Sequence, residues 1–351
     1  MAVTRTLTTM SPDAGDAADH GADHRHMLRA VELAAGVRTT TSPNPWVGCV
    51  LVTPAGEVAE GATQPPGGHH AEAAALVAAA AAGIDPAGAT AYVTLEPCSH
   101  HGRTPPCADA LVAAGVARAV IGIEDPDPQV AGRGVARLRD AGVEVTTGVA
   151  ADVVTDQLAA YLTHRTTGRP HVVLKLAASL DGRTAAPDGT SRWITGDAAR
   201  ADAHRLRAES DAVLVGAGTV RADDPELTVR HVAGRDPLRV VLGHAPPGAK
   251  VHPCLEVEGD LGAVLDDLGR RDVLQVLVEG GAGVAGAFHR AGLVDAYVLY
   301  LAPALFGGDD APGLFAGPAA ATMTDVWRGR ITRVTHLGDD IRVDLHPRRS
   351  R

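Results

Sequence analysis

His70-Ala71-Glu72, followed by Pro97-Cys98-Ser99-His100-His101-Gly102-Arg103-Thr104-Pro105-Pro106-Cys107, is the stretch on which the reading of this chain turns. One imidazole (His70) and two thiolates (Cys98, Cys107) supply three metal ligands and leave a fourth position for water. That is the pattern of catalytic rather than structural zinc. Glu72 stands two residues from the histidine, close enough to move protons without ligating. A closed structural site is the alternative, with His69, His100 or His101 as fourth ligand; Glu72 and the Pro-Cys context favour the open site.

The flanking sequence predicts alternating helices and strands. Helices are expected over 24–37, 70–82, 107–114 and 130–141, and strands over 47–53, 90–95, 119–123 and 143–147. The 70–82 segment is alanine-rich, a strong helix former, and Gly83 and Gly115 are placed as helix stops. This alternation implies a mostly parallel sheet covered by helices. His70 and Glu72 then open one helix, and Cys98 and Cys107 flank the start of another, so two positive helix ends face the metal. A helix over 151–164 leads to Gly168-Arg169-Pro170, where a second domain is expected to begin.

In that second half, strands are expected over 171–178, 212–215, 238–242, 273–278 and 296–301, with a closing antiparallel pair over 331–336 and 341–346. Helices are expected over 196–210, 261–268 and 283–291. Three stretches stand out: Lys175 to Arg183 with Ser191 to Gly196, Val215 to Val220 with Asp223 to Arg230, and Val278 to Gly286. The last holds G-x-G-x-x-G at Gly281, Gly283 and Gly286, after a strand and before a helix, a context that suits a phosphate on a helix N-terminus. The acidic ribose partner of the usual dinucleotide fingerprint is missing, so a plain tight turn is the alternative for that motif alone.

Composition narrows the function classes. The 351 residues suggest two domains, and 45% apolar residues suffice for ordinary cores. Aromatic residues make up 3%, so the cores are expected to be packed from Val, Leu and Ala. A net charge of −10 argues against a nucleic-acid partner. No run reaches the ~18 apolar residues of a membrane span. Residues 1–23 lack the apolar core of a secretory signal and read as a disordered tail. Four cysteines make no disulfide framework; Cys49 and Cys254 are expected to be structural.

H-x-E followed by P-C-x-x-C is the signature of zinc nucleobase deaminases; here its second half is stretched. With Thr41-Ser42-Pro43-Asn44-Pro45 and Val47-Gly48 upstream, the stretched form resembles the deaminase half of the bifunctional riboflavin-biosynthesis deaminase–reductases. The downstream half resembles that family's reductase, in the same order, and the resemblance as a whole covers residues 24–348, nearly the whole chain. The resemblance implies an α/β protein: a cytidine-deaminase-like α/β/α domain over 24–150, a linker helix and break over 151–170, and a dihydrofolate-reductase-like α/β domain over 171–348. It implies one Zn2+ per chain, NADPH, and a phosphoribosylated pyrimidine substrate.

Carried over residue by residue, the resemblance makes Glu72 catalytic, His70, Cys98 and Cys107 the metal ligands, and Asn44 a contact for the pyrimidine edge. It gives cofactor contacts to Ala177, Trp193, Thr219, Asp223 and the loop Gly281, Ala282, Gly283, Val284, Ala285, Gly286 and Ala287. Substrate contacts fall to Ser191, Arg207, Leu227, Arg230 and Glu279, with Lys175 a polar group near the reacting sugar. Arg207 and Arg230 are expected to converge on the substrate phosphate. The chain departs from the family after Leu242, where Gly243-His244 replaces the common Asp-Ser, and between Lys250 and Leu261, where a strand–helix crossover looks trimmed.

The expected activity is hydrolytic deamination of a diaminopyrimidinone carrying a phosphoribosylamino group, then NADPH-dependent reduction of its ribosyl side chain to ribityl. A cytoplasmic homo-oligomer, dimer or tetramer, without nucleic-acid or membrane partners is expected. The alternative is a deaminase of another nucleoside or nucleotide fused to a non-catalytic cofactor-binding module.

Overall fold

A computed structural model describes residues 14–99, 105–128 and 130–348, with side chains from residue 21 onward. The chain divides into two compact units, Met1–Leu158 and Ala159–Arg351.

The first unit runs α1 (Ala14–Thr41), β1 (Gly48–Val52), β2 (Val58–Ala62), α2 (Ala71–Ala82), β3 (Thr90–Leu95), α3 (Cys107–Ala113), β4 (Arg118–Ile123), α4 (Arg133–Asp140), β5 (Glu144–Thr147) and α5 (Ala151–Gln157). Its sheet has the order β2-β1-β3-β4-β5. The expectation of a mostly parallel sheet is corrected here. β1 pairs antiparallel with both β2 and β3, and only β3/β4 and β4/β5 are parallel. The reason is the short turn 53–57, which closes β1 and β2 into a hairpin instead of a crossover.

Helix α1 lays Met27, Ala30 and Ala34 on the sheet, a helical spacing, and all three are fully buried. It starts earlier than expected, so residues 14–23 extend the helix rather than the tail. Asp23 anchors that start: its carboxylate accepts from Arg118 at 2.7 and 2.8 Å and from the Tyr92 hydroxyl at 3.1 Å. Residues 1–13 lie outside the described residues. Helix α2 ends at Gly83 in the left-handed region, φ 72°, as placed from sequence. It sits unusually close to the sheet because β2 offers Gly61 there; a Cβ at that position would stand 2.3 Å from the Ala75 nitrogen.

The second unit runs α6 (Ala159–Thr167), β6 (His171–Ser179), α7 (Asp197–Ala208), β7 (Ala212–Gly216), α8 (Ala217–Asp223), β8 (Leu238–Leu242), β9 (Leu255–Val257), α9 (Leu261–Arg270), β10 (Gln275–Val278), α10 (Ala282–Arg290), β11 (Ala296–Ala302), β12 (Gly329–Leu337) and β13 (Asp340–Pro347). The eight strands are ordered β12-β13-β11-β6-β10-β7-β8-β9. From β11 to β9 the pairing is parallel, and β13 and β12 close one edge antiparallel. The core is aliphatic as expected, with Leu174, Leu214, Val240, Val276 and Leu268 fully buried around Phe288. β9 and α8 were not anticipated. The β8–β9 crossover, residues 243–254, contains no helix, and the segment between Lys250 and Leu261, where a trimmed crossover is expected, holds the short strand β9.

Candidate active sites

Three loops of the first unit open at one end of its sheet. The register of β1 against β3 brings residue 48 beside the Thr94–Leu95 end, and the residue 48 N–H donates to Thr94 Oγ1 at 3.2 Å. Asn44 is half-buried in the turn entering β1, with its N–H on the Thr41 carbonyl at 2.9 Å. The chain leaving β2 reaches His70, the N-cap of α2, and the chain leaving β3 reaches Cys98.

His70 Nδ1 lies 3.7 Å from Cys98 Sγ and 3.4 Å from Cys107 Sγ. A tetrahedral zinc with Zn–S of ~2.3 Å and Zn–N of ~2.0–2.1 Å separates nitrogen and sulfur by about 3.6 Å. The three donors therefore fit that ion. Cys107 is the first residue of α3, and its N–H donates to Cys98 Sγ at 3.3 Å. The hydrogen shared with the Cys107 thiol, then the bonds from His70 and from this N–H, hold the Cys98 thiol well below its ordinary range against the opposing effect of burial. Hydrogen bonding to Cys98 raises the His70 pKa against the opposing effect of burial. No other His, Cys, Asp or Glu among the described residues joins the three. His69 is not among the three, its backbone N–H donating to Gln64 Oε1 at 3.0 Å, and His100 and His101 lie outside the described residues.

Glu72 is buried in the first turn of α2. Burial first, then the negative Cys98 beside it, push its carboxyl up to about 7. A carboxyl titrating near neutrality can both take and return a proton. Cys49 is fully buried, and burial followed by the charge of Glu72 lifts its thiol far above the ordinary value, which makes it an inert packing residue.

One residue of this site was missed from sequence. Glu96 is buried, and its carboxylate accepts four backbone N–H groups: residues 125 and 132 at 3.2 and 2.9 Å, residue 134 at 2.8 Å and Val135 at 3.0 Å. It pins the start of α4 against Pro97. Gly134 permits that approach, since a Cβ there would stand 1.9 Å from the Pro97 oxygen. The available signal was its position, an acid at a strand end directly before Pro97-Cys98.

In the second unit the expected residues gather past the C-terminal ends of the parallel strands, where ligands of such sheets bind. Lys175 is on β6, Glu279 follows β10, and Thr219 follows β7 on α8. Arg207, on α7, forms a bidentate pair with Glu279 at 2.5 and 2.9 Å, and Lys175 Nζ stands 3.8 Å from the same carboxylate. Burial works against ionisation of Glu279, but the charge and hydrogen bonds of Arg207, then Lys175, outweigh it and hold its pKa at about 2. Burial, aided by Arg207 and opposed by Glu279, lowers the Lys175 pKa; the amine also lies 5.7 Å from the centre of the Tyr300 ring.

The arginines do not converge as two free guanidiniums. Arg207 is committed to Glu279, and the half-exposed Arg230 pairs with Glu226 at 2.6 Å. The Arg230 backbone N–H donates to His204 Nδ1 at 3.0 Å, in a loop where buried Leu227 has φ 56°. Burial, with Arg207 and Arg230 nearby, lowers His204 to about 4, so it is a neutral acceptor at physiological pH.

The cofactor candidates form a second group. The Gly281 N–H donates to Thr219 Oγ1 at 3.3 Å, and Gly281 is the N-cap of α10. Gly286, the last glycine of the motif, has a packing role: a Cβ there would meet the Ala316 oxygen at 2.2 Å. Gly283 faces open space, which leaves the first turn of α10 accessible for phosphate. Arg192 donates to the Asp223 carbonyl at 2.7 Å, tying the Ser191–Trp193 loop to the end of α8; Trp193 is 70% exposed, with the Arg200 guanidinium over its ring at 4.7 Å from the centre. Ala177 is half-buried on β6, paired in register with Tyr300. These residues fit a phosphate-bearing dinucleotide. His244 takes no part in this group: its ring sits between Glu256 and Glu258 at 2.9 and 3.1 Å.

Comparison with known proteins agrees with this division. Residues 21–123 match the cytidine and deoxycytidylate deaminase zinc-binding region, and residues 170–343 match the RibD C-terminal domain. The chain is 41% identical to the riboflavin biosynthesis protein RibD of Escherichia coli K12, over 92% of this chain and 99% of that protein. It is 43% identical to RibD of Mycobacterium tuberculosis, over 90% of this chain and 95% of that one. Among solved structures, Acinetobacter baumannii RibD superposes with a TM-score of 0.86 at 40% identity, covering 93% of this chain and 99% of that chain. The Thermotoga maritima diaminohydroxyphosphoribosylaminopyrimidine deaminase/5-amino-6-(5-phosphoribosylamino)uracil reductase gives 0.85 at 35% identity, covering 94% and 99%.

Proposed function

This chain belongs to the RibD family of bifunctional riboflavin-biosynthesis deaminase–reductases, and on that premise we propose which of its residues perform the two reactions. The deaminase is assigned to residues 24–150 and the reductase to 171–348. Zinc and NADPH are the cofactors of these two domain types. The observation that carries the reading is the open donor set of His70, Cys98 and Cys107 beside the buried carboxyl of Glu72.

In the deaminase, His70, Cys98 and Cys107 would hold the zinc ion, which when bound would act as a Lewis acid and lower the pKa of water toward neutrality. Asn44 holds the pyrimidine edge. Glu72 takes the proton of the attacking water and delivers it to the leaving amine, so that water and the C–NH2 group give C=O and ammonia. Glu96 keeps the Cys98 loop in place. In the reductase, NADPH would supply the hydride that reduces the ribosyl side chain. Trp193, Thr219, Ala177, Asp223 and the loop 281–287 would hold that cofactor. Ser191, Leu227, Arg230, Glu279 and Arg207 hold the substrate, and Lys175, with its lowered pKa, donates a proton to the sugar oxygen as the open chain forms.

The reading extends to a cytoplasmic homo-oligomer, dimer or tetramer. No helix among the described residues is long and apolar enough to cross a membrane. The test supplies the purified protein with the phosphoribosylated diaminopyrimidinone, with and without NADPH. Ammonia release without the cofactor and NADPH oxidation with it are expected; absence of both overturns the assignment. Sedimentation checks the oligomer.

A further inference from the structure

We propose that His252, Cys254 and Glu256 form a second transition-metal site, filled by zinc, that clips the short β8–β9 crossover to the edge strand β9. His252 and Cys254 end the crossover on either side of Pro253, whose peptide bond to His252 is cis, and Glu256 lies on β9. Their donor atoms all lie within 4.8 Å of one another. His252 Nδ1 is 3.5 Å from Cys254 Sγ, again close to the roughly 3.6 Å that a tetrahedral zinc imposes on a nitrogen and a sulfur.

The surroundings are those of ligands already oriented. His252 Nε2 lies 3.2 Å from the Pro246 carbonyl. A carbonyl oxygen only accepts, so Nε2 carries the proton and Nδ1 turns its lone pair toward Cys254. Metal-binding histidines characteristically donate their other N–H in this way. Glu256 is fixed likewise: Oε1 accepts from the Ala245 N–H at 3.0 Å and Oε2 faces His244 Nδ1 at 2.9 Å. The three donors thus come from the end of the crossover and from β9, while the groups that orient them, His244, Ala245 and Pro246, come from its beginning. An ion here would close a connection that has no helix of its own to hold it. The mixed N, S and O donors select a borderline ion such as zinc over magnesium or calcium.

The site is separate from the His70 centre and does not depend on the catalytic assignment. Full-length protein is equilibrated with zinc and desalted, and metal per chain is measured for wild type, Cys254→Ser and His252→Gln. Wild type is expected to retain one ion more than either variant, with deamination equal in all three. Added zinc is expected to raise the unfolding temperature of wild type more than that of the variants. Equal zinc content overturns the proposal. So does a lost ion accompanied by lost deamination, because the missing metal then belonged to His70. If Cys254→Ser fails to fold, His252→Gln, altered at an exposed side chain, supplies the same count.

Discussion

The two halves of this molecule build their chemistry in opposite ways. The zinc site is assembled by helix starts and short loops at one sheet end, with His70 and Cys107 at or beside the N-termini of α2 and α3. Its donors face one another across 3.4 and 3.7 Å and are completed by something from outside, an ion. The reductase site is drawn from strands and helices far apart in sequence, and its charges neutralise one another: Arg207 and Lys175 both address Glu279. The first site is therefore sensitive to what is taken away from it. The second is sensitive to imbalance left within it.

Chelation probes that difference most strongly. Removal of zinc is expected to bring deamination to background, while NADPH oxidation with supplied deaminated substrate continues unchanged. Loss of both activities on chelation, with the fold retained by circular dichroism, would break the independence of the two sites. Glu72→Gln is the next largest effect. The amide is nearly isosteric but cannot carry a proton at neutral pH, so deamination should fall ~10²–10⁴-fold with zinc content and reduction intact. Residual deamination within tenfold of wild type would remove Glu72 from its role.

The zinc half was the more legible in sequence, and the reason is local. Its ligands and base fall in two short motifs, and β3 (Thr90–Leu95) was bounded to the residue because its β-branched and aromatic residues, Thr90, Tyr92, Val93 and Thr94, stop at Glu96-Pro97. β2 escaped because Val-Ala-Glu-Gly-Ala has no alternation to read; Gly61 serves the approach of α2, not the strand. Without β2 the sheet read as parallel. Glu96 escaped because its partners are backbone N–H groups about thirty or more residues on, which no side-chain pattern announces. In the reductase the residue types were legible but their partners were not. Sequence offered two arginines and one phosphate, whereas the fold gives each arginine a carboxylate first.

Arg207 tests the imbalance directly. Its pair with Glu279 is largely shielded from water, with side chains 13% and 8% exposed. Arg207→Ala leaves a buried carboxylate with only Lys175 nearby, a change that typically costs ~3–5 kcal/mol. The second unit should unfold at lower denaturant, and reduction should fail while deamination persists. The pH dependence has the matching sign. Glu279 is depressed from 4.5 to about 2 in the folded chain, so the stability it contributes is complete above 4.5 and is lost as pH falls from there through 2. Glu279→Gln should flatten that acid limb.

Arg230 gives the smallest expected effect, and it separates a structural charge from a substrate-binding one. Its guanidinium is half-exposed and joined to Glu226 four residues earlier, an exposed pair of the kind worth ~0.2–1 kcal/mol. Arg230→Ala should therefore barely move the unfolding midpoint, unlike Arg207→Ala. Its backbone N–H bond to His204 survives the substitution, so the loop carrying Leu227 keeps its anchor. Any loss must then come from the ligand. If the side chain leaves Glu226 to meet the substrate phosphate, KM for reduction should rise about tenfold, the ~1–1.5 kcal/mol left once an exposed contact is discounted for solvent screening. NADPH affinity and deamination should stay level. A loss of NADPH affinity with KM for the substrate unchanged would move Arg230 to the cofactor and leave the phosphate to residues that are not already paired.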